Sequence, residues 1–222
     1  MISRKKKFIF VHIPKTGGNS IQNVLKKYSE DKINVKEVNS KTKDLERFGV
    51  SSLGHIHKHS SIGEYYKNWN KRAYGGWELY YKFTVVRNPW DRAVSNYFHI
   101  LSNPQHHSWL TTTEKFYKPD FKKFITGENP SVHPFSPEIK RYLSIKNKLV
   151  VNVLKFEDLK SEFQKVCDKL GLVGELPHVN KSKHVANRLR YVDYYDDELI
   201  QIIATRFYRE IKTFGYTFKE SR

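Results

Sequence analysis

The stretch that most constrains this chain is FVHIPKTGGNSI, residues 10–21. Residues 8–13, FIFVHI, are mostly aromatic or β-branched and read as a buried strand. Pro14 ends the strand, Lys15 follows, and the chain turns on Gly17 and Gly18. An apolar stripe then begins at once: Ile21, Val24, Leu25 and Tyr28 fall on one face of a helix. A strand, a glycine turn and a helix in this order build a loop suited to an anion. The glycines let the backbone come close, so that N–H groups can point inward. The helix start adds partial positive charge, Lys15 a full charge, and Thr16, Asn19 and Ser20 short polar donors. A phosphate-like group is the expected guest. The order is not that of a Walker A loop, which places its lysine after the last glycine.

Two further junctions repeat the plan. YKFTVV, residues 81–86, is a second strand; it meets Arg87-Asn88-Pro89, and a helix starting near Trp90 would bury Ala93, Val94, Tyr97 and Leu101. Residues 149–156, LVVNVLKF, read as a third strand, and 157–170 as a helix with Leu159, Phe163, Val166 and Leu170 inward, closed by Gly171. A last helix is expected over 196–213, with Leu199, Ile202, Ile203, Phe207 and Ile211 on one face. Residues 30–50 lack a firm pattern, and 102–140 read as an irregular insertion or helical lid. Strands alternating with helices predict an α/β fold with a parallel sheet covered on both sides. Ligands in such folds bind beyond the carboxyl ends of the strands, where the Lys15 and Arg87 loops would lie. An arginine at a strand end can hold a phosphate with a two-pronged hydrogen bond. The plainer reading of Arg87 and Arg92 is a pair of surface charges matched to Asp91.

At 222 residues the chain suits one domain. The basic run RKKK, residues 4–7, is followed by an apolar run too short for a secretory leader, so no targeting segment is expected. No run approaches the length of a membrane span. The single cysteine, Cys167, excludes an internal disulfide and fits a reducing compartment; the expected location is the cytoplasm. Forty Lys and Arg against 23 Asp and Glu give a net charge of +17, which points to a polyanionic partner without choosing among them.

The two loops carry a family resemblance. FVHIPKTGGNSI resembles the 5′-phosphosulfate loop of sulfotransferases that use 3′-phosphoadenosine-5′-phosphosulfate (PAPS), and VVRNPWDRAVSNY resembles their 3′-phosphate segment. LKFEDL, residues 154–159, HVNKS and the run from Tyr191 to Phe218 also resemble that family. The nearest branch is that of carbohydrate sulfotransferases, including heparan sulfate 2-O-sulfotransferases and bacterial relatives. The resemblance implies a P-loop-like α/β domain over residues 1–222, with helical or irregular insertions. It implies that Lys15, Thr16, Gly17, Gly18, Asn19 and Ser20 wrap the 5′-phosphosulfate. Arg87 and Ser95 would bind the 3′-phosphate, and Lys181 with Ser182 would lie near the donor. PAPS would be the donor, the desulfated product PAP would leave, and the acceptor would be a carbohydrate or glycoconjugate, possibly acidic. The sequence departs from the pattern at Asn19, where Thr or Ser is commoner, at Glu210, where Asp is common, and at Glu138, where bacterial relatives often have Gln.

Sulfonate transfer needs a base for the acceptor hydroxyl and a cation for the departing phosphate. LGHIHKHSSIGEYY supplies His55, His57 and His59. Residues 59–65 fit the family's catalytic-histidine pattern, and Lys58-His59 resembles a pair found in bacterial relatives. The expected base is therefore His59, with His57 second and His55 third, and Lys15 is expected to stabilise the leaving group. Alternating histidines can also bind zinc, but no second ligand cluster completes such a site, and no metal is expected. At least two of Trp69, Trp77 and Trp109 are expected to pack, with stacking on sugar rings the alternative for each. The competing readings are a P-loop-like kinase, whose lysine would be misplaced here, and a nucleic-acid-binding protein, for which no recognised module is present.

Overall fold

The computed structural model describes residues 1–30, 56, 58–102, 120–126, 139–146, 148–176 and 189–218. They fall into two compact units: Met1–Val86 with Ile139–Asn180, and Arg87–Glu138 with Lys181–Arg222.

The first unit is built on a four-stranded sheet. Its strands are β1 (Ile2–Ser3), β2 (Phe8–Val11), β3 (Tyr81–Val86) and β6 (Asn152–Lys155), side by side in that order. β2, β3 and β6 run parallel, with Phe10 beside Phe83 and Val85 beside Leu154. β1 adds an antiparallel edge that the sequence reading missed, because its two residues are followed by a run of basic ones. Side chains alternate between the faces of a sheet. On one face Phe8, Phe10, Phe83, Val85 and Leu154 form a core with α1 (Gly18–Leu25) and α7 (Leu159–Leu170). Ile21, Val24 and Leu25 supply α1's share, and Phe163, Val166 and the buried Cys167 supply α7's. Ile9, Val11, Thr84 and Val86 are buried on the other face, where the Thr84 hydroxyl donates to the Val11 carbonyl at 2.7 Å. Gly171 ends α7 in a left-handed conformation, φ 58°, as expected of a C-terminal glycine.

Shorter elements complete this unit: α2 (Ile62–Lys67), α3 (Lys71–Tyr74), α6 (Ile139–Leu143) and the strand pair β4 (Ser144–Ile145) and β5 (Lys148–Leu149). The strand expected over 149–156 is thus broken. Residues 148–149 turn back on β4 after Lys146, whose φ is 48°, and only Asn152–Lys155 joins the main sheet. Trp69 and Trp77 both pack as expected: Trp69 lies edge-on to Tyr80 at 4.7 Å and to Trp77 at 4.9 Å. Trp109 lies outside the described residues.

The second unit holds α4 (Pro89–Ser102), α5 (Phe121–Thr126), α8 (Asp197–Arg206) and α9 (Tyr208–Phe214). Pro89 starts α4 where its missing N–H costs nothing, and the Asn88 side chain accepts from the Trp90 N–H at 3.1 Å. Ala93 and Val94 are buried as expected, while Tyr97 and Leu101 are half-buried. The helix expected over 196–213 is two helices. Its backbone leaves helical geometry at Phe207, φ −109° and ψ 24°, and the buried Phe207 ring lies 5.0 Å from the Arg92 guanidinium. Arg92 is not the surface charge the sequence suggested: it is buried and pairs with buried Glu210 at 2.9 Å.

Candidate active site

The loop after β2 has the geometry its residues predict. Lys15 takes a left-handed φ of 65°, and Gly17 one of 81°. Such turns can aim successive N–H groups at one point, which is how backbone nests hold anions. Gly17 is the N-cap of α1, no side chain caps that helix, and its first turn carries no acidic residue. The start of α1 therefore keeps its positive end open to an external anion.

Both glycines are required by their neighbours. A Cβ on Gly18 would lie 2.2 Å from Cδ2 of His12, and one on Gly17 would lie 2.8 Å from the Phe156 ring. Leu159 stands 3.3 Å from the same Gly17 position. The LKFEDL junction thus has a local purpose: its aromatic and its last leucine press the loop from below. Thr16 is buried, and its hydroxyl donates to the Ile13 carbonyl at 2.9 Å, bracing the turn. The Ser20 N–H donates to the Gly17 carbonyl at 3.1 Å.

His59 is brought to this loop from 47 residues away in sequence. Its Nδ1 lies 2.9 Å from the His12 carbonyl oxygen. A carbonyl only accepts, so Nδ1 carries the hydrogen, and in the neutral ring Nε2 carries the lone pair. The rings of His12 and His59 stand 4.8 Å apart, tilted by 55°. Helix α2 fixes this segment, since Ser61 and Glu64 form a reciprocal capping box just after His59. Lys58 extends to the loop itself, where its Nζ donates to Asn19 Oδ1 at 2.8 Å.

His12 and Lys58 were not singled out from the sequence as site residues. Burial holds the His12 imidazole well below its ordinary pKa, with His59 and Lys58 adding repulsion, so the ring is neutral at neutral pH. Its Nδ1 and both amide atoms of Gln22 are buried. Desolvation likewise lowers the pKa of Lys58. The sequence signal for Lys58 was its pairing with His59, which resembles a pair in bacterial relatives; His12, just past the end of β2, gives no such signal.

Of the other expected residues, Arg87 directly follows β3 and Ser95 lies on α4, both in the second unit. Arg87 is buried, and its Nε donates to Asp91 at 2.7 Å, one turn on in α4. The pairing with Asp91 suggested by the plainer sequence reading is therefore present for Arg87. His55, His57, Glu138, Lys181 and Ser182 lie outside the described residues. Among the described residues, no group of three or more His, Cys, Asp and Glu is arranged to hold a metal. No helix among them is long and apolar enough to cross a membrane.

A parallel sheet with a glycine turn on its first crossover, and a histidine held against that turn, belong to an α/β fold of the P-loop-like kind. The model of the sulfotransferase family matches residues 1–217, and the chain belongs to that family. It is accordingly a transferase that moves a sulfonyl group. Comparison with solved structures gives a sulfotransferase from Alicyclobacillus acidocaldarius at 17% identity, covering 93% of this chain and 92% of the other, with a TM-score of 0.47. No curated protein sequence matches the chain.

Proposed function

We propose that this chain transfers the sulfonate of PAPS to a hydroxyl of a carbohydrate or glycoconjugate, with His59 as general base. The observation that carries the reading is the bond from His59 Nδ1 to the His12 carbonyl, which leaves Nε2 as the proton acceptor beside the anion loop. His59 Nε2 takes the hydroxyl proton as the acceptor oxygen bonds to sulfur. The sulfur–oxygen bond to the 5′-phosphate breaks, and Lys15 with the N–H groups at the start of α1 meets the charge left on that phosphate. Thr16, Asn19 and Ser20 line the same loop. Arg87 and Ser95, and Lys181 beyond them, are assigned to the donor by resemblance, Arg87 and Ser95 to its 3′-phosphate, and His57 remains the second candidate for the base. The whole chain acts as a single sulfotransferase domain in the cytoplasm.

A carbohydrate acceptor is supported by the resemblance to the heparan sulfate branch, and an acidic one by the net charge of +17. The kinase and nucleic-acid readings gain nothing from the comparisons. The test is the thermal shift with PAP against AMP and ATP, followed by transfer of labelled sulfonate to a panel of glycans. PAP alone should raise the melting temperature, because a ligand that binds only the folded state stabilises it. Equal shifts with all three nucleotides would reject the donor assignment.

A further inference from the structure

The basic run RKKK, residues 4–7, forms the turn between β1 and β2. It stands at the opposite end of β2 from Lys15, and the four residues of β2 alone put about 13 Å between those ends. Physiological salt screens exposed charges beyond about 8 Å, so the turn does not act on an anion in the Lys15 loop. Aromatic rings fix its cations in place. The Arg4 guanidinium lies 5.9 Å from the centre of the Tyr74 ring, and the Lys7 ammonium 5.0 Å from that of Tyr80. A ring holds a cation without cancelling its charge. One acid, Glu30, offsets part of the charge and braces the turn, accepting from the N–H groups of Arg4 and Lys5 at 2.7 and 3.2 Å.

The rings continue beyond the turn. The segment leading into β3 lies beside it, since the Tyr81 N–H donates to the Lys7 carbonyl at 2.8 Å. There Trp69 meets both Tyr80 and Trp77 edge-on, and Trp77 meets Tyr66 edge-on at 5.2 Å. The outer members of this platform are open: Tyr66 is 48% exposed and Leu79 60%. Lys82 lies 4.9 Å over the Trp77 ring, with Glu78 facing it. A ring platform edged by fixed cations suits a sugar chain that carries carboxylates or sulfates. The apolar faces of the sugars lie on the rings, and the anions meet Arg4, Lys5 and Lys7. We infer that the β1–β2 turn and the Tyr66–Trp77 platform form a second, non-catalytic site for an acidic glycan. The choice of a glycan rests on the function proposed above. A chain held here and at the Lys15 end is bound at two points, so its second contact is made at high effective concentration.

The probe is heparin, a long sulfated polysaccharide, with single-stranded DNA of matched charge as competitor. The combined variant Arg4→Gln, Lys5→Gln, Lys7→Gln keeps part of each stem and removes three charges. Its affinity for heparin should fall by about fivefold or more and depend less steeply on salt, because fewer counter-ions are released. Its ligand-free melting temperature and its thermal shift with PAP should match wild type. Tyr66→Ala should weaken heparin binding by about twofold or more with the salt dependence kept, since stacking releases no counter-ions. Saturating PAP should leave heparin bound. If the combined variant does not fold, Lys5→Glu reverses the charge of one exposed side chain and should weaken heparin by about threefold or more. Wild type that ignores heparin, smaller losses than these in the variants, displacement of heparin by PAP, or DNA that competes equally well overturns the inference. Wild type that ignores PAP sinks the donor reading instead, and the heparin measurements then decide the second site by themselves.

Discussion

Replacing His59 by alanine removes the proposed proton acceptor while leaving the Lys15 loop in place. We expect kcat to fall by about 10²–10⁴-fold with PAP affinity kept, measured by single-turnover transfer and calorimetry. A variant that loses PAP affinity in the same proportion would mark His59 as a binding residue. Gly18→Ala makes the complementary statement about the loop. Its new methyl would meet the His12 ring, which is stacked on Phe10 at 5.8 Å and abuts His59, so it has little room to retreat. Overpacking of this kind costs about 1–3 kcal/mol, to be read from urea unfolding. At this scale the sequence revealed the loop because its chemistry is local: proline, lysine, glycines and short polar side chains lie in one run. It could not reveal the contact between His12 and Gly18, or the bond from His59 to the His12 carbonyl. Those depend on how a strand, a turn and a distant segment meet in space, and residue type alone does not encode that.

Elements were legible in proportion to their length and to the continuity of their apolar pattern. β3 has the bounds the sequence predicts, and α1, α4 and α7 begin where glycine or proline chemistry, or a strand end, requires it. The short helices after His59 were not foreseen, since four to six residues cannot display a period. The break at Phe207 was hidden for a different reason: its stripe continues across the break, so periodicity reports one helix where the backbone makes two. Two predictions belong here. Ser61→Ala removes the cap of α2 and should cost about 1 kcal/mol, with a fall in turnover because α2 anchors the His59 segment. Glu210→Gln leaves the Arg92 guanidinium buried without its carboxylate and should destabilise by about 3–5 kcal/mol in chemical denaturation. Asp at the same position has a shorter side chain, so Glu210→Asp would stretch the pair.

For the molecule as a whole, the buried imidazole of His12 ties stability to acid. Its folded pKa lies below the ordinary value of 6.5, so between these two values the unfolded chain binds the extra proton. The contribution is complete above pH 6.5 and is lost as pH falls below it, by at most about 1.4 kcal/mol per pH unit. Melting temperatures measured from pH 7 down to pH 5 should therefore fall, and His12→Asn should flatten the slope; an unchanged slope would rule out His12 as its source. The single thiol gives this protein a reporter of a different kind. Cys167 lies on the inner face of α7, almost without exposure, and burial raises its pKa. A thiol reagent cannot reach it in the closed form, so the rate of modification counts the moments at which the first unit opens. Slower modification in the presence of PAP would measure, without any substitution, how firmly a filled anion loop locks the sheet beneath it.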